Sequence, residues 1–319
     1  TKVADNNDHS VTLKSDGSEG ATFSLRVYRN ETEFDDLLVQ TARDTSVDPA
    51  EIDASAQTTP TLLISGDDGD KLIGGSASDQ LSGGAGDDIL DGGLGDDFLA
   101  GGTGTDTATY ENSGSSVEVD LQAGTASGED SGEDMLTAVE NVLGTDFNDT
   151  LSGDDAYNRL DGGLGDDVIK GRGGDDAIIG GAGTDTAVYD DVATTVTVDL
   201  AAGTVTGEDV GSDNLTGIEK VVTGSGNDVL TGGDNNDILS GGLGDDVFWA
   251  SEGDDVILTG GGSDTLYLSY GFEPVSLSVD TEGNLTLVVE KAGAEHTVTV
   301  EKHLTDPLSS IRIYTNSDH

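Results

Sequence analysis

Residues 83–102 read GGAGDDILDGGLGDDFLAGG, and this stretch contains the pattern that decides the fold. Glycine pairs return every nine residues, and each pair is followed by two aspartates and then an apolar residue. The unit is G-G-x-G-x-D-x-U-x, where U is a large apolar residue. Repetition at a short fixed period indicates a solenoid, in which each unit stacks on its neighbours.

The nine-residue units are grouped into larger repeats. Five consecutive units occupy residues 65–109, and matching positions such as Asp88, Asp167 and Asp246 lie 79 residues apart. Each block therefore holds five units followed by a segment of 34 residues. The predicted domains are a non-repetitive lead-in at 1–64, a repeat region at 65–267 with intervening segments at 110–143 and 189–222, and a divergent capping segment at 268–319.

Position 8 of the unit is predicted to point into a core. Positions 1 to 6 would form a turn, and positions 7 to 9 a very short strand. Two units, eighteen residues, would make one coil of a right-handed spiral whose coils stack as two narrow parallel sheets. We therefore expect an all-β, right-handed parallel β-helix solenoid. Position 8 is apolar in every unit, and a disordered acidic tract would not keep such a regular apolar position. The predicted inward residues are Leu72, Leu81, Leu90, Leu99, Ala108, Leu151, Leu160, Ile169, Ile178, Ala187, Leu230, Leu239, Phe248, Ile257 and Leu266.

Position 6 is aspartate in fourteen of the fifteen units. Because each turn would lie over the turn eighteen residues away, carboxylates would stack in register, which is unfavourable unless a cation lies between them. Calcium binds about six to eight oxygens, and glycine-rich turns expose backbone carbonyls that can complete its shell. The predicted ligands at position 6 are Asp70, Asp79, Asp88, Asp97, Asp106, Asp149, Asn158, Asp167, Asp176, Asp185, Asp228, Asp237, Asp246, Asp255 and Asp264.

Position 5 is acidic in the central units of each block. Since adjacent residues of an extended chain point in opposite directions, positions 5 and 6 are predicted to serve ions above and below one turn. Three stacked pairs of units per block give on the order of nine calcium ions, and Asn158 is expected to weaken one site. The additional predicted ligands at position 5 are Asp87, Asp96, Asp166, Asp175, Asp245 and Asp254.

Composition excludes several classes of partner. The 319 residues include 64 acidic and 13 basic residues, for a net charge of -51, so binding to nucleic acid or to an anionic membrane surface is not expected. There is no cysteine, and no apolar run is long enough to insert into a membrane. The first ten residues do not resemble a signal peptide.

The lead-in is predicted to contain a strand and a short helix. TFSLRVY, from Thr22, alternates apolar residues as a strand does, whereas ETEFDDLLVQTARD, from Glu31, spaces Phe34, Leu37, Leu38 and Thr41 as a helix does. TSVDPAEIDASAQTTP, from Thr45, is predicted to be a linker.

The nonapeptide units from Ser65 to about Tyr267 resemble those of RTX proteins, the haemolysin-type calcium-binding repeat family. The resemblance implies a parallel β-roll with calcium in its turns and type I secretion from a Gram-negative bacterium. The 34-residue segments depart from the simple pattern; they either continue the spiral as longer, calcium-poor rungs or protrude as hairpins.

The sequence predicts a calcium-binding protein that is not an enzyme. Its four histidines lack the HExxH spacing, and no G-x-S-x-G motif with triad partners occurs. Two functions remain: a structural segment of a surface layer, matrix or adhesin, or the secretion and folding module of an extracellular protease, lipase or polysaccharide epimerase. Calcium is the expected cofactor, other cell-surface proteins or polysaccharide are candidate partners, and the expected location is secreted or at the cell surface.

Overall fold

The computed structural model describes residues 23–27, 37–41, 51–268, 271, 273–279, 284–291, 293–301 and 312–314. Within these residues every regular element is a β-strand. In chain order the strands are β1 (Phe23–Val27), β2 (Leu37–Thr41), β3 (Glu51–Asp53), β4 (Thr61–Ile64), β5 (Lys71–Ile73), β6 (Gln80–Ala85), β7 (Ile89–Asp91), β8 (Phe98–Thr103), β9 (Thr107–Thr109), β10 (Val117–Asp120), β11 (Thr125–Gly128), β12 (Gly132–Thr137), β13 (Asn141–Leu143), β14 (Thr150–Ser152), β15 (Arg159–Leu164), β16 (Val168–Lys170), β17 (Ala177–Ala182), β18 (Thr186–Val188), β19 (Val196–Asp199), β20 (Thr204–Gly207), β21 (Gly211–Thr216), β22 (Lys220–Val222), β23 (Val229–Thr231), β24 (Ile238–Ser240), β25 (Val247–Ala250), β26 (Asp255–Leu258), β27 (Thr265–Leu268), β28 (Glu273–Val279), β29 (Leu285–Lys291), β30 (Ala294–Glu301) and β31 (Arg312–Tyr314).

The strands form two sheets, one of 17 strands, called sheet A here, and one of 14 strands, called sheet B. Consecutive nonapeptide units alternate between the sheets. In sheet B, β5, β7 and β9 are parallel and pair Lys71 with Ile89 and Ile89 with Thr107, which are eighteen residues apart. In sheet A, β6 and β8 pair Gln80 with Phe98 in the same way. The predicted coil of two units and the all-β parallel β-roll are confirmed.

The core lies between the two sheets and follows position 8. All fifteen predicted inward residues are buried, and none is more than 2% exposed. They join one continuous apolar cluster that also contains Ile52, Leu63, Val119 and Val198. Because each side chain packs on its equivalent one coil away, the stack buries a narrow apolar column along its whole length. No described segment forms a helix with the length and apolar character needed to cross a membrane.

Each 34-residue segment combines the two alternatives predicted for it. In residues 110–143, β10, β11 and β12 form an antiparallel meander within sheet A, between β8 and β14. The next strand, β13, is an ordinary rung of sheet B between β9 and β15. The segment therefore continues the stack on one side and widens it with a hairpin in the plane of the other sheet.

The two meanders lie in opposite sheets. In residues 189–222 the meander of β19, β20 and β21 belongs to sheet B, and β22 is the single rung of sheet A. The reason is arithmetic: five units are two and a half coils, so successive blocks begin on opposite sides of the stack. The first meander adds three strands to sheet A where sheet B gains one, and the second reverses this.

The predicted helix of the lead-in is wrong where the structure describes it. Leu37–Thr41 is a strand, paired in parallel with β4 and antiparallel with β1. The sheet edge offered by β4 supplies backbone partners that outweigh a weak helical spacing, and Val39 and Thr41 favour a strand. The rest of that prediction, residues 31–36 and 42–44, lies outside the described residues. The predicted strand is confirmed at Phe23–Val27.

The predicted linker also contains part of the stack. Glu51–Asp53 pairs with Lys71–Ile73, because Ile52 enters the same buried column as Leu72. Both sheets therefore extend across residue 65, and the division of the chain at residues 64 and 267 stays a prediction.

The third copy of the 34-residue segment diverges less than the sequence indicates. β28, β29 and β30 again form a meander, in which β30 stacks on β26 as β12 stacks on β8. After this meander β31 pairs with β27, as β13 pairs with β9 in the first segment. The sequence of β31, RIY, gives little sign of this role, because it differs from NVL in β13 and KVV in β22.

Candidate metal centre

The position-6 side chains form two buried columns, one along each edge of the stack. All fifteen are buried, including Asn158. In addition to stacking, the carboxylate accepts a hydrogen bond from a backbone N–H of the preceding coil. The Asp70 N–H donates to Asp88 Oδ1 at 2.7 Å, and the Asp149 N–H donates to Asp167 Oδ1 at 2.8 Å. One carboxylate oxygen, Oδ1, thus links two successive coils by a hydrogen bond to the backbone.

The second oxygen, Oδ2, has no hydrogen-bond donor in a large subset of these turns. A buried carboxylate oxygen without a donor is strongly unfavourable unless a proton or a cation compensates for it. We call these the open turns. They are the turns of Asp88, Asp97, Asp106, Asp167, Asp176, Asp185, Asp228 and Asp246.

Other turns are closed by their own backbone. The Gly75 N–H donates to Asp79 Oδ2 at 2.6 Å, and the Gly233 N–H donates to Asp237 Oδ2 at 2.6 Å. Thr145 does the same for Asp149 at 2.6 Å. In every case the donor is position 2 of the same unit. We call these the closed turns.

The backbone at position 2 separates open from closed turns. In the open turns it is left-handed, with φ of 104° at Gly84, 86° at Gly93 and 101° at Gly163, which directs the N–H away from the carboxylate. Even Arg172 adopts this conformation, with φ of 68°, at position 2 of the Asp176 turn. Asp228 is the exception, since position 2 of its unit is not left-handed.

Glycine at position 1 makes room for the second oxygen. A Cβ on Gly83 would lie 2.1 Å from Asp88 Oδ2, and a Cβ on Gly162 would lie 2.1 Å from Asp167 Oδ2. A side chain at Gly83 or Gly162 would therefore displace the carboxylate of its turn, whereas the open turn of Asp228 has Thr223 at position 1. Among the described residues no three His, Cys, Asp or Glu side chains converge on one point. A cation in these turns would have to complete its shell with backbone carbonyl oxygens, which calcium accepts.

The position-5 carboxylates point the other way. Asp87 Oδ1 accepts from the Thr105 N–H at 2.8 Å, one coil forward, whereas Asp88 accepts from one coil back. The opposite directions predicted for positions 5 and 6 are confirmed, and their joint use as ligands stays a prediction. The structure places all six position-5 aspartates on the exposed rim of the turns, each accepting from the following coil: Asp87, Asp96, Asp166, Asp175, Asp245 and Asp254.

Burial, more than repulsion between neighbours, governs the charge state of position 6. The pKa of Asp97 is raised to about 8, chiefly by desolvation; the hydrogen bond from the Asp79 N–H lowers it, and the nearby charges of Asp134 and Asp79 add to the rise. Burial likewise raises the pKa of Asp167 and Asp246 to about 7. The sequence argument placed the penalty in stacked charges, whereas the structure shows that loss of water is the larger cause.

Asn158 has its own partners. Its Nδ2 donates to Glu140 O at 2.9 Å, and its Oδ1 accepts from the Asp154 N–H at 2.7 Å. The guanidinium of Arg172 binds the Gly153 carbonyl and forms a bidentate pair with Asp120 at 2.8 Å. The side-chain amide of the one turn that lacks a position-6 carboxylate is thus satisfied within the protein, and the weakening of that site stays a prediction.

Sequence reasoning missed four acidic residues that continue the buried columns through the intervening segments. Asp134 and Asp213 accept from the Asp97 and Asp176 N–H groups, each at 2.9 Å. In each segment a glutamate continues the column on the opposite side: Glu140 and Glu219 accept from the Asp106 and Asp185 N–H groups at 2.8 and 3.1 Å. A signal was present for the two aspartates, since residues 132–136 (GEDML) and 211–215 (GSDNL) keep the G-x-D-x-U half of the unit.

The repeat region of the chain matches a known protein family. The family model for the RTX calcium-binding nonapeptide repeat (4 copies) matches residues 73–108, 143–169, 158–187, 213–248 and 241–269. Among solved structures, the extracellular lipase LipA from Serratia marcescens matches with 19% sequence identity and a TM-score of 0.21. That match covers 86% of this chain and 42% of the lipase, so the chain spans less than half of that protein's length. No curated protein sequence matches the chain.

Proposed function

The chain carries RTX calcium-binding nonapeptide repeats between residues 73 and 269, and on that premise we propose that its glycine-rich turns bind calcium and that this binding folds the chain after export. The single observation that carries the proposal is the set of buried Oδ2 atoms without donors in the open turns. Each marks a place where the folded chain lacks a positive partner for a desolvated carboxylate.

The residues present fit calcium better than other metals. With no cysteine in the chain, thiolate sites for zinc or iron are excluded, and the turns offer hard carboxylate and carbonyl oxygens instead. Bound calcium would supply the positive charge that makes burial of these carboxylates favourable. The proposed ligands are the position-6 residues, foremost those of the open turns, with the position-5 aspartates as further candidates.

The chain's own residues explain how binding and folding are coupled. Oδ1 of each position-6 carboxylate ties its turn to the preceding coil, so fixing Oδ2 on an ion also fixes the stack. Where calcium is scarce, as in cytosol, the buried carboxylates oppose folding and the chain remains fit for export. Where calcium is abundant, binding adds to the free energy of unfolding. On the order of nine ions would offset about 18 charges of the net -51, which leaves an acidic surface.

We propose a structural role at the cell surface of a Gram-negative bacterium, as a segment of a surface layer, matrix or adhesin. The support is architectural: both sheets run through all three blocks, so calcium would set the stiffness of the whole stack. Other cell-surface proteins or polysaccharide are the partners such a role requires.

Equilibrium dialysis followed by metal analysis tests the proposal. The full chain is expected to bind several calcium ions, on the order of nine, and magnesium is expected to compete poorly because it demands a smaller octahedral shell. Asp167→Asn keeps the Oδ1 contact to the Asp149 N–H and removes one open Oδ2, so it should reduce the number of ions bound. Asp67→Asn, at an exposed aspartate, is the matched control. A chain that binds no calcium would refute the proposal.

A further inference from the structure

The two columns of position-6 carboxylates continue into the intervening segments, one at Asp134 and the other at Asp213. Asp134 lies opposite Asp97 and Asp213 opposite Asp176, and each Oδ1 accepts the N–H of the preceding coil at 2.9 Å. Both side chains are buried, with 3% and 1% exposure. By position, burial and backbone contact they are equivalent to the aspartates of the nonapeptide turns.

Their second oxygen is treated differently. The Tyr110 hydroxyl donates to Asp134 Oδ2 at 3.1 Å, and the Tyr189 hydroxyl donates to Asp213 Oδ2 at 2.8 Å. Both tyrosines are buried. In the open turns the corresponding oxygen has no donor. A protein hydroxyl therefore stands where the open turns require an ion.

The turn that would hold an ion is also missing. In a nonapeptide unit, positions 1 to 3 before the aspartate form half of the glycine turn. Before Asp134 these residues form the tight connection from β11 to β12, and they carry Glu129, Asp130 and Ser131 in place of the glycine pair. The glycine carbonyls expected of an open turn are thus replaced by a hairpin.

The third copy changes both partners together. Leu268 occupies the position 79 residues after Tyr189, and Val298 pairs with Asp255 as Asp134 aligns with Asp97. Leu268 and Val298 are buried, with 1% and 0% exposure. In the third copy both the tyrosine and the aspartate are replaced, each by an apolar residue. Joint replacement is expected when two side chains depend on each other through a hydrogen bond, because losing one leaves the other buried without a partner. A metal ligand beside an unrelated core residue would not require it.

We propose that the Tyr110–Asp134 and Tyr189–Asp213 pairs take the place of calcium in the two intervening segments, which divides the ions of the stack into three separate arrays. The inference rests on the proposed function, because it presumes that the turns on either side bind calcium. The arrays correspond to residues 65–109, 144–188 and 223–267.

The experiment counts bound calcium in the full chain by equilibrium dialysis and metal analysis. The double variant Tyr189→Leu/Asp213→Val copies the third segment and is expected to bind as many ions as the wild type. Asp176→Asn, one coil earlier in the same column, removes an open Oδ2 and is expected to bind fewer. Tyr110→Leu/Asp134→Val repeats the test at the other segment.

The outcomes separate the two proposals. A double variant that binds fewer ions than the wild type, while the wild type binds several, would show that Asp213 is a calcium ligand and would overturn this inference alone. A wild type that binds no calcium would overturn the proposed function and the inference with it.

A stability cycle covers the case in which the double variant folds poorly. Tyr189→Phe removes the hydroxyl and leaves Asp213 Oδ2 buried without a donor. In saturating calcium it should lower the urea midpoint more in the wild-type background than in an Asp213→Val background, where the hydroxyl has no carboxylate to bind. Equal shifts in the two backgrounds would overturn the inference.

Discussion

The Asp79 N–H donates a hydrogen bond of 2.7 Å to Asp97 Oδ1, while the other oxygen of Asp97 is buried without a donor. The two oxygens of one carboxylate therefore have different tasks. Oδ1 holds the coils in register, and Oδ2 is left for a cation.

Asp97→Asn is predicted to raise the calcium concentration needed for folding without breaking the stack. The amide keeps an oxygen for the Asp79 N–H but replaces the open Oδ2 by a donor. Loss of one charged ligand should cost about 1–3 kcal/mol, seen as a shift of the calcium midpoint in far-UV circular dichroism. Asp67→Asn removes the same charge from an exposed residue and is the control. Equal midpoints for the two variants would contradict the ligand assignment.

Ala138→Gly is predicted to stabilise the chain. Ala138 has φ of 50°, and the equivalent residue of the second segment, Gly217, has φ of 63°. A left-handed conformation is unfavourable for alanine, so the change to glycine should add about 1 kcal/mol. Gly217→Ala is the matched reverse change and should lower stability by about as much. Urea unfolding in saturating calcium measures both variants. If the two substitutions shifted the urea midpoint in the same direction, the left-handed conformation of these two residues would be contradicted.

Asn158→Asp is predicted to make its turn dependent on calcium. The Asn158 amide donates to Glu140 O at 2.9 Å, and a carboxylate would instead place an oxygen against that carbonyl. At calcium concentrations near the folding midpoint the variant should therefore be less ordered than the wild type, and saturating calcium should reverse the loss. Far-UV circular dichroism at these two calcium concentrations would reveal the difference. A variant that is equally impaired in both conditions would argue that the turn accepts no ion.

The calcium-free chain is predicted to gain order when the pH falls from about 8 to about 5. Burial raises the pKa of Asp97 to about 8 and that of Asp176 to about 7, above the ordinary value of 3.8. Between these values the folded chain binds more protons than the unfolded chain, so the free energy of unfolding decreases as the pH rises. Circular dichroism in chelator, with light scattering to exclude aggregation, measures the change. Loss of order on acidification would contradict the burial of these carboxylates.

The repeat made the fold predictable, because a nine-residue period with one apolar position admits few arrangements. Leu90 and Ile169 were placed in the core correctly from their phase alone. The lead-in was less predictable, since Leu37–Thr41 is a strand only because β4 offers it a sheet edge. Such long-range pairing leaves little trace in a local pattern.

The candidate site was predictable in its residue types but not in its finer geometry. The acidic period identified every position-6 residue, all of which lie in the buried columns. The difference between the open turn of Asp88 and the closed turn of Asp79 was not visible, because Gly75 and Gly84 are both glycine and differ in backbone conformation alone. The Tyr189–Asp213 contact joins residues 24 apart and needed the meander to be seen.

The central claim is that cations in the glycine turns make the stacked fold possible. Far-UV circular dichroism of the full chain during a calcium titration from excess chelator tests it most directly, with magnesium as the control cation. We expect a coil spectrum in chelator that converts cooperatively to a β spectrum in millimolar calcium and not in equal magnesium. A chain with the same β spectrum after exhaustive removal of calcium would contradict the account.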